Sequence, residues 1–232
     1  MTSDKIFAVL SGDLIGSTRA SQKHVQRSMD LLSGALPPGI RWDGWADSDF
    51  RFTRHRGDGW QMLAPEPEVA LRWAITLIAA LHADPEALGS RISIGIGPVT
   101  SLGTDDLRDA SGAAFEASGR GLDAMHRDQR LFMMGGETGH HDQPELTGAE
   151  KAAIILIDER IARWTKEQAE AAAYFLHPAT QSKKPYATEI ARQLSITPQA
   201  VGYRLKGAGA RQLDEALTVL ELDWAERWDL TR

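Results

Sequence analysis

The chain has 232 residues, no cysteine and a formal net charge of −6. These totals exclude a disulfide-stabilised scaffold and a thiolate zinc site, and they give no overall attraction to nucleic acid. No apolar run reaches membrane-spanning length, and the first residues lack the pattern of a secretory signal, so we expect a cytoplasmic protein that does not bind membranes.

The first part of the chain alternates between strand and helix patterns. The strand patterns cover residues 5–12, both arms of a hairpin within 47–63, 91–99 and 130–134. The helical patterns cover residues 18–34, 65–83 and 112–127. The first six elements follow the order of a ferredoxin-like fold, in which the helices lie on one face of a sheet.

The second part of the chain is predicted to be all helical. Capping-box patterns at Thr147 and Thr165 mark two helix starts, and the second of these helices should end near His177. A short helix over 188–193, a turn, a helix beginning at Thr197 and a final helix over 210–222 complete the list. The polar, glycine-rich segment 135–144 divides the chain into an α+β domain, 1–140, and a helical domain, 145–232.

Two aspartates lie beside glycine at the ends of apolar segments. Asp13 follows the first predicted strand, and Asp58 stands in the turn Gly57-Asp58-Gly59. Burial of a carboxylate at the end of a strand costs free energy unless the carboxylate binds a cation. Glycine lets the backbone approach a bulky anion closely. Each aspartate also has a structural explanation: Asp13 as a helix cap and Asp58 as an ordinary hairpin residue.

Four strings resemble, in order, the landmarks of class III nucleotidyl cyclase domains, and the chain as a whole resembles SatD-type bacterial proteins. In those proteins a cyclase-related domain precedes a helix-turn-helix. The strings are Asp13-Leu14-Ile15-Gly16-Ser17-Thr18, Arg56-Gly57-Asp58-Gly59, the segment 91–99 and the segment 112–120. The cyclase resemblance covers roughly residues 5–134. It implies a ferredoxin-like, cyclase-type domain with a mixed antiparallel sheet, followed by a small all-α domain.

The resemblance implies a metal–nucleotide site in the first domain. Asp13 and Asp58, helped by the carbonyl of Leu14, would bind two Mg²⁺ or Mn²⁺ ions, a role that suits hard oxygen ligands. The backbone N–H groups that would cradle the triphosphate at a helix start belong to Ile15, Gly16, Ser17 and Thr18, and Leu14 completes the nucleotide-binding set.

The resemblance also implies roles for four further side chains. Arg54 falls where cyclases carry a base-contacting lysine, and Asp109 falls near the acidic residue that reads adenine. Arg120 falls where an arginine stabilises the transition state, and the family's usual asparagine four positions earlier is Glu116. Because such sites form between two subunits, a homodimer is implied. Glu116 would place a carboxylate near a triphosphate, which leaves catalysis and base choice open.

The second domain contains the apolar skeleton of a helix-turn-helix. Its members are Ile190, Ala191, Leu194, Ile196, Val201 and Leu205. Ser195 stands at the turn position where glycine is usual. Between Ser182 and Arg211 there are six basic residues and one acid, which favours a DNA-contacting face. The candidate DNA-binding residues of the recognition helix are Gln199, Tyr203, Arg204 and Lys206.

These features together predict a DNA-binding regulator whose cyclase-like domain binds a metal–nucleoside triphosphate at a homodimer interface. An alternative is an active cyclase, which converts a nucleoside triphosphate into a cyclic nucleotide and pyrophosphate. In that alternative the helical segment serves dimerisation or control. A third interpretation is a structural module in which the acidic residues only cap and turn the chain.

Overall fold

The structure is a computed structural model that describes residues 5–34, 51–55, 57–64, 66–104, 106–136, 145–178 and 184–228. Over these ranges the protein is an α+β protein with one five-stranded mixed sheet and eight α-helices. The strands are β1 Ile6–Leu14, β2 Arg51–Arg54, β3 Gly59–Ala64, β4 Ser90–Pro98 and β5 Leu131–Gly135. The helices are α1 Gln22–Leu32, α2 Ala70–Ala83, α3 Ala113–Ala124, α4 Gly148–Ala162, α5 Lys166–Leu176, α6 Ala187–Leu194, α7 Pro198–Ala208 and α8 Ala210–Trp228.

The strands lie in the order β2-β3-β1-β4-β5. The central strand β1 is antiparallel to both β3 and β4, whereas β5 is parallel to β4. The prediction that Asp13 follows the first strand is wrong, because β1 continues to Leu14. Asp13 pairs in register with Gly59 of β3 and Arg91 of β4. Asp13 therefore does not cap a helix.

The two faces of the sheet differ in composition. On one face, residues such as Leu10, Met62 and Ile94 join the main core beneath α1 and α2. On the other face, Phe7 and Val9 form a small apolar cluster with α3. Because strand residues alternate between faces, Ser11 and Asp13 continue the second face toward the end of β1. The second face is apolar at one end and polar at the other.

Helix α3 lies very close to the sheet. A Cβ atom on Gly95 of β4 would meet the carbonyl oxygen of Ala114 at 2.1 Å and the backbone nitrogen of Ser118 at 2.4 Å. A side chain at position 95 is therefore excluded sterically. The same contact brings the hydroxyl of Ser118 to 2.8 Å from that of Ser11 on β1.

Helix α2 is covered on all sides. Every residue from 70 to 81 is buried, because the sheet covers one side of the helix and α5 packs on another. A helix that is apolar around its whole circumference is suited to such a position. The sequence pattern identified only the stripe that contains Ala74, Leu77 and Leu81.

The helical part shares its core with the sheet, and one continuous cluster contains residues of β1, α2, α5, α7 and α8. The predicted boundary falls mostly on residues 137–144, which lie outside the described residues. Helix α8 ends at Trp228, six residues beyond the predicted end at 222. None of the described helices has the length and apolar character needed to cross a bilayer.

Candidate functional site

Asp13 and Asp58 lie at the same end of the sheet. Asp58 directly precedes Gly59, the register partner of Asp13, and its carbonyl oxygen accepts a hydrogen bond from the N–H of Leu14 at 3.2 Å. Gly57, with φ of 82°, makes the tight turn that returns the chain into β3. The hairpin turn and the central strand therefore bring the two aspartates to one corner of the molecule.

Each of the two carboxylates has a protein partner. Arg91 Nε donates to Asp13 Oδ1 at 2.9 Å, and its Nη2 donates to Asp13 Oδ2. The hydroxyl of Ser17 donates to Asp58 Oδ2. The hydrogen bonds to Asp13 raise the pKa of Arg91, and the charges of Asp123 and Asp58 act in the same direction. The carboxylates of Asp13, Asp58 and Asp123 therefore all lie close enough to the Arg91 guanidinium to raise its pKa.

The loop after β1 contributes backbone donors to this corner. Gly16 has φ of 76° and precedes a short 3-10 helix, Ser17–Arg19. Among the described residues, none accepts a hydrogen bond from the N–H groups of Gly16, Ser17 or Thr18. Successive free N–H groups at a left-handed turn are the kind of backbone that binds anions in other proteins. The N–H of Ile15 is already bonded to the carbonyl of Gly89 at 2.8 Å.

The donor set at this corner suits a hard divalent ion that also binds phosphate. Mg²⁺ is commonly held by one or two carboxylates together with substrate phosphates and water, not by a full protein cage. The described residues contain no group of three or more histidine, cysteine or acidic side chains arranged to hold a metal. Two aspartates beside three free N–H groups fit a metal–phosphate ligand better than a lone ion. A cation that takes both oxygens of Asp13 must displace Arg91.

Arg54 lies beside the same turn but points to the other face of the sheet. Its guanidinium donates to the carbonyl of Gly57 at 3.3 Å and to Gln26 of α1 at 3.1 Å. Its neighbour Thr53 faces α3 and accepts a hydrogen bond from the N–H of Leu107 at 2.8 Å. Arg54 is thus near Asp58 in the chain but on the α1 side, away from Asp13.

Asp109 ends a short 3-10 helix, Leu107–Asp109, that packs against β2. Its carboxylate accepts a hydrogen bond from the hydroxyl of Thr104 at 3.2 Å, which closes the loop between β4 and α3. The hydrogen bonds that organise Asp13 and Asp58 do not involve Asp109.

Glu116 and Arg120 lie one helical turn apart on the exposed side of α3. Ser118, between them in sequence, points inward and contacts Ser11. The side chains that bind Asp13 and Asp58 in the single chain are Arg91 and Ser17, not this pair. Glu116 and Arg120 are therefore exposed on the outer side of α3.

A series of hydrogen-bonded polar side chains crosses the sheet face that carries Asp13. His55 Nε2 lies 3.0 Å from Gln61 Oε1, and Gln61 Nε2 donates to the Ser11 hydroxyl at 3.1 Å. Ser11 in turn contacts Ser118 of α3. The sequence did not predict this hydrogen-bonded series or the contact of Arg91 with Asp13. The register of β1 with β4, which the structure supplies, places the basic residue opposite the strand-end aspartate as a natural partner.

Two helices, α6 and α7, lie in the segment for which the sequence predicts a helix-turn-helix. Ser195 has φ of 53°, the one positive value at a non-glycine position among the described residues. Thr197 caps α7 by accepting a hydrogen bond from the N–H of Ala200 at 3.2 Å. Ile190 and Val201 are buried in the main core cluster. The residue that ends α6 therefore adopts the left-handed conformation that glycine usually supplies there, with serine in its place.

The outer face of α7 carries most of the candidate DNA-binding residues. Gln199, Tyr203 and Lys206 are exposed at spacings of four and three residues, which places them on one stripe. Tyr203 has 77% of its surface exposed. Arg204 differs, because its Nη1 donates to Glu170 of α5 at 2.6 Å. The guanidinium of Arg204 is thus held against the protein.

The sequence between Ser182 and Arg211 has more basic than acidic residues, but fewer of these basic side chains are unpaired in the folded protein. Lys184 forms an ion pair with Asp214 at 2.7 Å, and burial lowers the pKa of Lys184. Lys183 lies outside the described residues. No described acid forms an ion pair with Arg192, Lys206 or Arg211, which are all exposed. These three side chains are what the described structure leaves exposed and without an acidic partner from the basic excess of residues 182–211.

A buried arginine joins the sheet part to the helical part. Arg72 of α2 is fully buried and donates to both oxygens of Glu221, at 2.6 and 2.9 Å. It also donates to Asp214 and, at 3.3 Å, to the hydroxyl of Thr218. Burial by itself lowers the pKa of Arg72, but the hydrogen bonds with Glu221 and Asp214 raise it overall. Helix α8 is therefore attached to α2 through one guanidinium.

Comparison of the sequence with protein-family models and with curated proteins gives no match.

Proposed function

We propose that this protein is a DNA-binding regulator whose sheet domain binds a metal–nucleoside triphosphate. The observation that carries the proposal is the meeting of Asp13, Asp58 and the free N–H groups of Gly16–Thr18 at one corner. Carboxylates attract the divalent ions, and the N–H groups attract the phosphates that those ions accompany. Mg²⁺ or Mn²⁺ would neutralise the polyphosphate at this corner.

The finer fold assignment belongs to the same proposal. The strand order β4-β1-β3-β2, with α1 and α2 on one face, supports a ferredoxin-like, cyclase-type domain. The added strand β5 is parallel to β4 and follows α3. Glu116 and Arg120 face outward, which agrees with a site completed by a second copy of the chain.

DNA binding is proposed for the helix-turn-helix formed by α6 and α7. Support comes from the left-handed turn at Ser195 and from the exposed stripe of Gln199, Tyr203 and Lys206. Side chains near the start of a recognition helix reach base edges, and lysine reaches phosphates. Arg204 is the weaker candidate because Glu170 already holds it.

An active cyclase is the second candidate function. It is favoured by Asp13, Asp58 and Arg120, since two-metal catalysis needs carboxylate ligands and a cation to stabilise the departing pyrophosphate. Glu116 argues against it, because its carboxylate would repel a triphosphate. Incubation of the protein with Mn²⁺ and each of the four common nucleoside triphosphates, followed by mass spectrometry for pyrophosphate and a cyclic product, separates the candidates. Nucleotide binding without any product supports the regulator, and a cyclic product supports the enzyme.

DNA binding is tested by selection of bound sequences from a random duplex library, with and without Mn²⁺ and nucleotide. The double variant Gln199→Ala/Tyr203→Ala should lose the selected sequence while it retains the fold. Arg127→Ala, at an exposed position in the turn before β5, is the matched control. Equal affinity for selected and scrambled DNA would refute the DNA-binding role, and an affinity independent of nucleotide would refute coupling between the two sites.

A further inference from the structure

Two partly exposed polar side chains, His55 and Gln61, lie on the sheet face that carries Asp13. Gln61 pairs in register with Ser11, two residues before Asp13, and its Nε2 donates to the Ser11 hydroxyl at 3.1 Å. His55 directly follows β2, and its Nε2 lies 3.0 Å from Gln61 Oε1. The metal–phosphate contacts of the proposed function use neither side chain, although both lie beside the same corner.

One backbone carbonyl sets the direction of these hydrogen bonds. The Ser118 hydroxyl donates its single proton to the carbonyl of Phe115 at 2.9 Å, so Ser11 must donate to Ser118. Gln61 must then donate to Ser11, which turns Gln61 Oε1 toward His55 and assigns the proton of that contact to His55 Nε2. The Gln61 amide is therefore held in one orientation. Among the described residues, none takes its second N–H or the second lone pair of its oxygen.

A glycine lies between Asp13 and His55. Gly59 pairs in register with Asp13, and its carbonyl accepts a hydrogen bond from the N–H of His55 at 2.8 Å. Because Gly59 has no side chain, only backbone separates the two residues on this face. Neighbouring strands are about 4.8 Å apart, so Asp13 and His55 are about 10 Å apart across the sheet. A ribose that lies on Gly59 would connect phosphates at Asp13 with a base at Gln61.

Arg54, which the cyclase resemblance assigns to the base, lies on the opposite face of the same hairpin. Its guanidinium donates to Gln26 of α1 at 3.1 Å. His55 and Gln61, in contrast, belong to the hydrogen-bonded series on the Asp13 face. The side chains of this hairpin that can contact a base beside Asp13 therefore differ from the one that the resemblance implies.

We propose that Gln61 contacts the nucleobase of the bound nucleotide, that the base is adenine, and that His55 is a positioning residue for the Gln61 amide. This inference rests on the proposed metal–nucleotide function and adds the identity of the base. The free N–H and the oxygen of a glutamine amide match the N7 acceptor and the N6 amino group of adenine. The same edge of guanine offers two acceptors, so the amide oxygen would face an acceptor and lose its hydrogen bond.

The test compares binding of the Mn²⁺ complexes of ATP, GTP, CTP, UTP and inorganic tripolyphosphate to the full chain by titration calorimetry. We expect wild type to bind ATP at least about tenfold more tightly than GTP. Gln61→Ala should bring the affinities for ATP and GTP to within about twofold of each other. Tripolyphosphate has no base, so it should bind wild type and Gln61→Ala equally, which also shows that the variant is folded at the corner.

Two further variants separate positioning from general support of the fold. His55→Ala frees the Gln61 amide to rotate and should lower the preference for ATP without any change in tripolyphosphate affinity. His55→Gln keeps an N–H donor and should retain more of the preference than His55→Ala. Gln26→Ala, an exposed glutamine on the α1 side of the sheet, is the matched control and should keep the full preference.

The assignment of the base is overturned if wild type binds GTP, CTP or UTP as tightly as ATP, or if Gln61→Ala keeps the preference of wild type. Loss of the preference in Arg54→Ala, with none in Gln61→Ala, would also overturn it and would favour the residue that the resemblance implies. Binding of tripolyphosphate and of all four nucleotides with equal affinity contradicts the inference alone. If none of the five ligands binds, or if Asp58→Asn binds them as wild type does, the proposed function fails as well.

Discussion

Arg91 holds both carboxylate oxygens of Asp13 across the β1–β4 register. The pair is partly exposed, with 25% of the Arg91 side chain and 30% of the Asp13 side chain accessible. An ion pair with that exposure contributes about 1 kcal/mol or less to the free energy of unfolding. Its larger effect is to occupy the carboxylate that the proposed divalent ion would need.

Removal of Arg91 should therefore strengthen metal binding. In Arg91→Gln the carboxylate of Asp13 is free and a nearby positive charge is lost, so we expect Mn²⁺ alone to bind about tenfold more tightly, or by about 1.4 kcal/mol. Titration calorimetry without nucleotide measures the change, and Arg127→Gln is the control for loss of an exposed positive charge. Weaker binding by Arg91→Gln would mean that Arg91 does not compete with the cation.

Asp58→Asn should abolish metal-dependent nucleotide binding and leave the fold intact. The amide oxygen of asparagine can still accept the hydrogen bond from Ser17, so the turn keeps its main contact. The negative charge is lost, and we expect affinity for an Mn²⁺–nucleotide to fall by about a hundredfold or more, or by about 2.7 kcal/mol. Fluorescence titration measures binding, and circular dichroism checks the fold. Binding equal to that of the parent would exclude Asp58 as a ligand.

The sequence predicted the elements of this fold well where local chemistry decides them. Thr147, Thr165 and Thr197 each cap a helix as expected, because a hydroxyl that accepts from the N3 backbone N–H is a local event. The end of α5 near His177 is also confirmed. The extension of β1 through Asp13 was missed, because register with β3 and β4 decides it.

The contacts that organise the candidate site could not be predicted in the same way. Asp13 and Arg91 are separated by 78 positions, and Arg72 and Glu221 by 149. Such pairs depend on which faces of distant elements meet, and no periodicity within either element encodes that. Arg72 lies in a mostly apolar helix, and its burial is explained by α8, which covers it and supplies its acidic partners.

Arg72→Met should destabilise the protein severely. It leaves Glu221 buried without its main partner, and a broken buried ion pair costs about 3–5 kcal/mol. Arg72→Met/Glu221→Leu removes both charges, while Asp214 keeps Lys184, so we expect most of the loss to be recovered. Urea unfolding of the three proteins gives the free energies. Equal stability of the single and double variants would argue against an uncompensated charge as the cause.

His177 should make stability depend on pH. Burial at the end of α5, against Trp73, lowers the pKa of His177 from 6.5 to about 4. Above pH 6.5 the side chain is neutral in both the folded and the unfolded state. Between pH 6.5 and about 4 only the unfolded state takes up the proton, so stability falls as the pH is lowered. The full loss is about 3 kcal/mol at about 1.4 kcal/mol per pH unit.

The variant His177→Phe isolates that contribution. Phenylalanine preserves an aromatic contact with Trp73 and does not titrate. The difference in free energy of unfolding between wild type and variant should therefore change across this pH interval and be flat above it. Urea unfolding at a series of pH values provides the measurement. A constant difference at all pH values would mean that His177 is solvated in the folded protein.

Ser195 gives the last prediction, because its φ of 53° places a side chain in the left-handed region. That conformation costs a non-glycine residue roughly 1–2 kcal/mol, whereas glycine adopts it freely. Ser195→Gly should raise the free energy of unfolding by about 1 kcal/mol, and the β-branched Ser195→Val should lower it by a similar amount. The side chain is exposed, so neither change removes core packing. If glycine stabilised the protein while the selected DNA bound less tightly, the serine hydroxyl itself would be a DNA contact, and strain at the turn would be the consequence of keeping it.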